Sequence, residues 1–375
     1  MSIATATTPS LKKSETPFIL AILTTKSKTG KVKGNFENFK DLTITGAKMG
    51  FNVYVLPIED FDATKQQQQG LIYEKSTNKW IPTLMPFPHL IYNRIPYRQD
   101  EDNKQVKEKI IHISKRKRVK LFNPTFFNKW QLFRWLMKSS TTSKFLPETK
   151  RLQAQSTFKA MLDKHNFLYL KPESGKAGKG IMTVRVEAQE LLPYALSIQK
   201  NKESKTIRCH SFEKLWKKII QESQNTAYIV QQGIELNQYK GRSYDLRLLI
   251  QKNQLGKWEL SGMGARLAGQ LSITTHVPRG GKIENPVKLL QDSFGQKQAT
   301  IILKKVEEAA ILIATQIEQA SDALLAEMSM DVGVDKHGEL WFFEANSKPM
   351  KFDEPHIRKK SLQRIFQYGQ FLLKK

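Results

Sequence analysis

Residues 331–346 have the sequence Asp-Val-Gly-Val-Asp-Lys-His-Gly-Glu-Leu-Trp-Phe-Phe-Glu-Ala-Asn. The central Asp-Lys-His-Gly predicts a turn, so the two apolar runs around it should pair as a β-hairpin. Glu344 and Asn346 are two residues apart and face one side of the second strand, while Asp331 lies across the ladder. Mg²⁺ prefers such carboxylate and amide oxygens. The hairpin therefore predicts a cation site, because a carboxylate that ends an apolar strand is costly unless positive charge neutralises it.

A second hairpin is predicted upstream, where the strands Phe167–Lys171 and Ile181–Val186 flank a loop rich in glycine and lysine. Glycine lets a backbone approach phosphate oxygens closely, and lysine adds positive charge. The loop residues concerned are Gly175, Lys176, Gly178, Lys179 and Gly180. The loop lacks the Ser or Thr of a Walker loop, and no helix follows it as in a dinucleotide-binding fingerprint. Two interpretations remain, a phosphate-binding loop and a flexible basic hairpin tip.

Two lysines outside this loop are further candidates for phosphate contacts. Lys171 ends the apolar strand Phe-Leu-Tyr-Leu, so its side chain should point from a mostly buried strand into a cleft. A phosphate in that cleft would neutralise it. Lys129 lies on a helix predicted to begin at Asn123-Pro124, with Asn as the N-cap and Pro in the first turn. For Lys129, an ordinary exposed position on the helix is the alternative.

The predicted elements indicate an α/β N-terminal domain followed by an α+β region. Residues 1–15, rich in Ser, Thr and Ala, are typical of a flexible lead-in. Residues 16–122 alternate short apolar strands with helices, which indicates an open, mostly parallel sheet. Residues 123–375 contain both hairpins, a long helix predicted at about 298–319, and a basic C-terminal helix.

The composition favours a globular protein with anionic partners. The chain has 375 residues, with 61 Lys and Arg against 35 Asp and Glu, so its formal net charge is +26. These charges are spread along the chain without a zinc-finger or aromatic RNA-binding signature, so specific nucleic-acid recognition is not expected. Cys209, the single cysteine, excludes an intramolecular disulfide. Because neither a signal peptide nor an apolar run of membrane-spanning length is visible, we expect a soluble, cytoplasmic protein.

The order of these features resembles the ATP-grasp superfamily: a helix lysine, a lysine before a glycine loop, and an Asp…Glu-x-Asn set near the end. Four segments further resemble the YheC/YheD family, ATP-grasp proteins associated with the endospore coat of Bacillus-like bacteria. They are Tyr-Asn-Arg-Ile-Pro-Tyr-Arg at 92–98, Phe-Asn-Pro-Thr-Phe-Phe-Asn-Lys-Trp at 122–130, Asp-Leu-Arg-Leu-Leu-Ile-Gln-Lys at 245–252 and Thr-His-Val-Pro-Arg-Gly-Gly at 275–281. The resemblance covers nearly the whole chain after residue 16.

The resemblance implies two lobes that clamp ATP, and it implies which residues contact the nucleotide. Lys129 and Lys171 would grip the phosphates, and the loop from Ser174 to Gly180 would fold over them. A hinge strand would place its backbone against the adenine edge, with glutamines where many ATP-grasp enzymes have Glu. The hinge residues are Gln231, Gln232, Gly233 and Ile234.

The same resemblance implies a metal site and a set of arginines. Asp331, Glu344 and Asn346 would hold Mg²⁺. Three arginines would lie near the γ-phosphate and the acyl substrate, although a structural or surface role is an even alternative for each. They are Arg247, Arg266 and Arg279. Weaker candidates for substrate contact in the N-terminal domain, with strand-end salt bridges as the alternative, are Arg94 and Arg98.

The function implied is that of an ATP- and Mg²⁺-dependent ligase, which joins a carboxylate to an amine through an acyl phosphate. Its carboxylate and amine substrates are not named by the sequence and are expected to include anionic molecules. The alternative, from another class, is a nucleotide-binding structural or assembly protein of the spore coat without ligase turnover. Either protein would act in the cytoplasm or at the forming endospore coat.

Overall fold

A computed structural model of the protein describes residues 17–174, 178–224, 226–349, 352 and 354–374. The chain divides into two units, residues 1–120 and 121–375, and the boundary falls within a short strand. Among the described residues, no helix is both long and apolar enough to cross a membrane.

The first unit is built around an apolar strand, β1, whose residues from Leu20 to Leu23 are fully buried. Its elements are β1 (Phe18–Thr24), α1 (Phe36–Lys48), β2 (Phe51–Pro57), β3 (Gln67–Glu74), β4 (Lys79–Pro86), β5 (Leu90–Asn93), α2 (Arg98–Glu101), α3 (Lys104–Ser114) and β6 (Lys120–Phe122). The sheet order is β4-β3-β2-β1-β5-β6, and β1 is parallel to both β2 and β5. The expected open α/β sheet is therefore present.

An antiparallel hairpin of β3 and β4 extends this sheet, and the sequence analysis did not predict it. β3 begins with three identical residues, Gln67 to Gln69, of which the middle one is buried and the outer two are exposed. Exposed and buried positions alternate here, but all three residues are glutamine. The alternation of apolar and polar residues that usually indicates a strand is therefore missing.

The second unit starts with an antiparallel sheet that carries helices on one face. Its elements are α4 (Lys129–Met137), α5 (Ser140–Ser143), β7 (Thr149–Arg151), α6 (Gln155–Lys164), β8 (Phe167–Pro172), β9 (Met182–Val186), β10 (Tyr194–Gln199), β11 (Ser204–Cys209), α7 (Phe212–Ser223) and β12 (Tyr228–Gln232). The strand order is β11-β10-β9-β8-β12-β7. Phe158 and Leu162 of α6, and Leu215 and Ile219 of α7, pack in one core with the strands. The predicted glycine-loop hairpin is β8–β9.

A second antiparallel sheet of this unit packs against a long helix. Its elements are β13 (Gln238–Tyr239), β14 (Arg242–Lys252), β15 (Trp258–Leu267), β16 (Lys282–Glu284), α8 (Pro286–Ser321), β17 (Glu327–Val334), β18 (Leu340–Asn346) and α9 (Pro355–Lys374). The order is β16-β15-β14-β17-β18, with β13 beside β14. α8 is broken at Gly295, where φ is +73°, and its second part buries residues that include Ile302, Val306 and Ile313. The predicted α/β unit followed by an α+β region is confirmed.

The predicted helix start at Asn123-Pro124 is wrong. Helix α4 begins at Lys129, where the side chain of Asn128 caps it by accepting a hydrogen bond from the Gln131 N–H. Asn123 is instead fully buried, with a left-handed φ of +54°. Its amide donates to the carbonyls of Glu327 (2.8 Å) and Ser347, and its oxygen accepts from the Ala326 N–H at 2.9 Å. Asn123 thus connects this segment to the first residue of β17 and to the residue that follows β18.

We expect Asn123→Ala to lower the free energy of unfolding by about 3 kcal/mol, because buried backbone groups lose partners at about 1–3 kcal/mol each. The control is Asn78→Ala, which has the same left-handed φ (+55°) but is exposed. It should cost only about 1 kcal/mol, the penalty for a side chain less suited to that backbone. Urea unfolding followed by tryptophan fluorescence measures both. Equal losses would mean that backbone conformation, and not the buried hydrogen bonds, is what Asn123 supplies.

Candidate active site

A cavity of about 490 Å³ lies within the second unit, lined from both of its sheets. From the first sheet it receives side chains of β8, β9 and β12, and from the second it receives those of β14, β15, β17 and β18. The segment from Ala268 to His276 closes part of its wall. The lining includes much of the set predicted from sequence: Lys129, Lys171, Gly178, Lys179, Gln231, Gln232, Ile234, Arg266, Asp331 and Glu344.

Lys171 enters the cavity from β8 in an unusually apolar setting. Its ammonium lies 5.2 Å from the ring centre of Tyr169 and 5.1 Å from that of Phe343. It donates a hydrogen bond to the Gln231 Oε1 at 2.6 Å. Burial lowers the pKa of Lys171 from 10.5 to about 8, although the charge of Glu344 acts in the opposite direction. A cation held at such cost, with no carboxylate within salt-bridge distance among the described residues, is suited to an anionic ligand.

Lys129 is not the exposed helix lysine that the alternative interpretation required. It is 8% exposed, in the first turn of α4, and its ammonium lies 3.0 Å from the Glu344 Oε1. Its backbone N–H donates to the Glu173 carbonyl at 3.3 Å. The structure therefore places the Lys129 ammonium in contact with Glu344, one of the predicted metal ligands.

The pairing of β17 with β18 places Asp331 directly opposite Glu344, and a register shift follows Asp331. Asn346 pairs with Ser329, one step of two residues along β18, and is half-buried. Glu344 and Asn346 flank the buried Ala345, so they leave the same face of the strand as predicted. Among the described residues, the cavity lining includes Asp331 and Glu344 but not Asn346.

Arg266 lies between two carboxylates in the buried wall of the cavity. Its Nε and Nη2 donate to both oxygens of Asp245, at 2.9 and 2.6 Å, and its Nη2 also lies 2.8 Å from the Asp331 Oδ2. Arg247 donates from Nη1 to the Asp331 Oδ1 at 3.0 Å. Burial raises the pKa of Asp331, but the two guanidinium groups outweigh it and hold that pKa well below its usual range. Both arginines are therefore fixed in place by carboxylates.

The third predicted arginine and part of the loop cannot be placed. The backbone of Arg279 closes a short turn, Val277–Arg279, but its side chain lies outside the described residues, as do Gly175 and Lys176. Ser174 and Lys179 are exposed, whereas Gly178 is buried. Gly178 and Gly180 have φ values of +70° and +76°, the left-handed region that glycine adopts without strain.

The hinge residues are engaged mainly with the protein itself. Gln231 is 1% exposed, and its amide donates to the Thr149 hydroxyl at 2.8 Å while its oxygen accepts from Lys171. The Gln232 Oε1 accepts from the Glu148 N–H at 3.1 Å. Gly233 packs so closely on Phe167 that a Cβ would lie 2.2 Å from the ring. Gln231 therefore orients Lys171, a role that the sequence analysis did not assign.

His276 is a cavity residue that the sequence analysis did not single out. A ring nitrogen of His276 and carboxylate oxygens of Asp331 and Glu344 all lie within 4.8 Å of one another. Burial and the nearby charge of Arg266 lower the pKa of His276, which favours the neutral ring. His276 was quoted as part of Thr-His-Val-Pro-Arg-Gly-Gly, but no periodicity linked this loop residue to β17 or β18.

The weaker candidates of the first unit have local contacts. Arg94 donates to the Tyr92 hydroxyl at 3.3 Å and lies over its ring. Arg98 is the first residue of α2. A substrate role for either residue remains a prediction.

Two sheets that enclose a cavity, one with a glycine-loop hairpin and one with a carboxylate-bearing hairpin, define the ATP-grasp fold. The ligase PsnB, solved with a minimal precursor, aligns with a TM-score of 0.53 and 11% identity over 94% of this chain and 100% of its own. D-alanyl-alanine synthetase A from Vibrio cholerae aligns with a TM-score of 0.51 and 11% identity over 96% of this chain and 97% of its own. VanG D-Ala:D-Ser ligase from Enterococcus faecalis aligns with a TM-score of 0.52 and 12% identity over 95% of this chain and 99% of its own.

Residues 118–372 match the family described as YheC/D-like ATP-grasp, so the chain belongs to this family. Two relatives from Bacillus subtilis (strain 168) agree with the match. The endospore coat-associated protein YheD is 27% identical over 316 residues, which is 82% of this chain and 67% of YheD. The endospore coat-associated protein YheC is 23% identical over 302 residues, 80% of this chain and 81% of YheC.

The low pKa of Lys171 predicts that this residue costs stability. Below about pH 8 the folded protein bears a buried charge that the unfolded chain solvates, so stability should rise as the pH increases from about 8 to 10.5. The slope contributed by one such group is at most about 1.4 kcal/mol per pH unit. Lys171→Met should therefore be more stable than wild type at pH 7, and the difference should shrink towards pH 10.5.

The matched control is Lys252→Met, because Lys252 is also buried near aromatic rings but has a carboxylate partner, Glu318. Breaking that pair should destabilise the protein by about 2–4 kcal/mol. Denaturant unfolding at several pH values measures both variants. If both lose stability alike, Lys171 is a structural lysine.

Proposed function

We propose that the protein is an ATP-dependent ligase that joins a carboxylate to an amine. The observation that carries the proposal is the set of opposed charges that α4 and the two sheets place in and beside an ATP-grasp cavity. Among the described residues, the cations are Lys129, Lys171, Arg247 and Arg266, and the carboxylates are Asp245, Asp331 and Glu344. A polyanionic triphosphate together with a divalent cation matches both signs.

The lysines are proposed to bind the phosphates of ATP. Lys171 is held by Gln231 and lacks a carboxylate within salt-bridge distance among the described residues, so its charge is available to a phosphate. Lys129 pairs with Glu344, and it would exchange that partner for phosphate when a metal ion neutralises the glutamate. Charge-assisted contacts of this kind are stronger than neutral hydrogen bonds.

The carboxylates are proposed to hold Mg²⁺, with Asn346 beside them on β18. The donor set fits a cation, because Asp331 and Glu344 converge within 4.8 Å, and Asp331 is held ionised by its arginines. When bound, the ion would neutralise charge that develops on the transferred phosphoryl group. Every carboxylate oxygen has a second lone pair, so the arginine contacts do not preclude ligation.

In the proposed reaction, a carboxylate oxygen of the substrate attacks the γ-phosphorus and ADP leaves. The amine then attacks the carbonyl carbon of the acyl phosphate, and inorganic phosphate leaves. Arg266 and Arg247 would stabilise the negative charge on the phosphoryl group and the acyl oxygen, in orientations fixed by Asp245 and Asp331. The loop from Ser174 to Gly180 would exclude water, which otherwise hydrolyses the acyl phosphate.

A second candidate is a nucleotide-binding structural or assembly protein of the spore coat. It is favoured by the names of the two Bacillus subtilis relatives, both described as endospore coat-associated. It predicts ATP binding without carboxylate-dependent turnover. Lys129, Lys171, Asp331 and Glu344 line one cavity, which favours the ligase.

Hydroxylamine distinguishes the two candidates without knowledge of the natural amine, because it converts an acyl phosphate into a hydroxamate. The protein with Mg-ATP and hydroxylamine would be tested against a panel of amino acids, peptides and cell-wall precursors. The ligase predicts ADP and hydroxamate in equal amounts with at least one acid. ATP binding with neither product across the panel would favour the coat protein.

We expect Lys171→Ala and Lys129→Ala each to weaken ATP binding about ten- to a hundredfold, since a charge-assisted contact is worth about 1.5–3 kcal/mol. The control is Lys159→Ala, which removes an exposed helix lysine paired with Asp163. It should leave the affinity unchanged. Isothermal titration calorimetry measures all three dissociation constants. Unchanged affinity in both site variants would contradict the assignment of the phosphate site.

A further inference from the structure

His276 is not one of the metal ligands predicted on the hairpin, which are Asp331, Glu344 and Asn346. It lies on neither strand of the hairpin but at the end of the segment 268–276, which forms part of the cavity wall. One ring nitrogen nevertheless comes within 4.8 Å of the ligand oxygens of both Asp331 and Glu344. A nitrogen donor thus joins two carboxylates from a separate part of the chain.

The segment that bears His276 is held firmly in place. The Thr275 hydroxyl donates to the Asp245 Oδ2 at 2.6 Å, the same carboxylate that binds Arg266. The His276 carbonyl accepts from the Gly281 N–H at 3.3 Å. Gly281 itself packs so tightly that a Cβ would lie 2.2 Å from the Thr275 carbonyl oxygen. These contacts fix the backbone that carries the imidazole.

The ring has an unmet hydrogen-bonding requirement. Among the described residues, the His276 Nδ1 is buried without a hydrogen-bond partner. A buried polar atom left in this state costs about 1–3 kcal/mol, so such atoms usually have a ligand or partner. The charged groups that act on the pKa of the ring are Arg266, Asp331, Glu344 and Asp245. A cation placed between the carboxylates would be the natural acceptor of an imidazole lone pair.

We infer that His276 is a nitrogen ligand of the divalent cation that accompanies ATP, and that the site therefore favours a first-row transition ion such as Mn²⁺ over Mg²⁺. This inference rests on the proposed nucleotide site. Mg²⁺ prefers oxygen donors, whereas imidazole nitrogen suits transition ions. The surrounding cations, Lys129, Arg247 and Arg266, would repel an ion bound alone, so tight binding requires the phosphates as well.

The test is pulsed electron paramagnetic resonance of Mn²⁺ bound with the β,γ-methylene analogue of ATP, using protein whose histidines carry ¹⁵N. Wild type should show a directly bound histidine ¹⁵N. His276→Gln, which offers an amide in place of imidazole, should lose that coupling. Its preference for Mn²⁺ over Mg²⁺, measured by competition, should fall about tenfold or more. The control is His210→Gln, which alters an exposed histidine and should change neither quantity.

The outcomes separate this inference from the proposed function. In one outcome, wild type binds Mn²⁺ and the analogue, Glu344→Gln loses that binding, and wild type shows no histidine coupling. This result overturns the role of His276 and leaves the nucleotide site intact. Coupling that persists in His276→Gln likewise overturns it. Failure of wild type to bind the analogue with either Mn²⁺ or Mg²⁺ contradicts the nucleotide site and the inference together.

Discussion

The buried contact of Arg266 with Asp245 and Asp331 determines the arrangement of the whole site. These residues lie on three adjacent strands, β15, β14 and β17, so the contact fixes the relative positions of the strands on the cavity side. Removing one partner would leave an uncompensated charge in the protein interior, which is strongly destabilising. The same contact keeps Asp331 ionised opposite Glu344, and Asp245 in turn anchors the loop of His276 through Thr275.

The local parts of this arrangement were predictable from sequence. Glu344 and Asn346 share a face because side chains alternate along a strand, and the turn at residues 335–338 places Asp331 opposite Glu344. Lys171 was identified because it ends an apolar strand just before a glycine loop. Such inferences depend only on neighbours in the chain or across one hairpin. The roles of these residues remain proposals, but the structure brings Lys171, Asp331 and Glu344 to one cavity.

Three contributions that the sequence did not reveal depend on distant parts of the chain. Asn123 precedes a proline and resembles a helix cap, yet its amide bonds residues more than 200 positions away. His276 reaches the carboxylates from a loop without periodicity, and Gln231 orients Lys171 across the β8–β12 pair. For Asn123, the buried hydrogen bonds outweigh the local preference for a helix cap. The contacts of His276 and Gln231 exist only once the strands are paired.

The central claim is that Lys129 and the carboxylates of this cavity have protein partners until a nucleotide and a metal ion replace those contacts. A crystal structure of the protein with the β,γ-methylene analogue of ATP and a divalent cation tests it most directly. The account predicts phosphates in contact with Lys171 and Lys129, the ion on Asp331 and Glu344, and Lys129 released from the glutamate. A nucleotide bound elsewhere, with the Lys129–Glu344 contact of 3.0 Å intact, would contradict it.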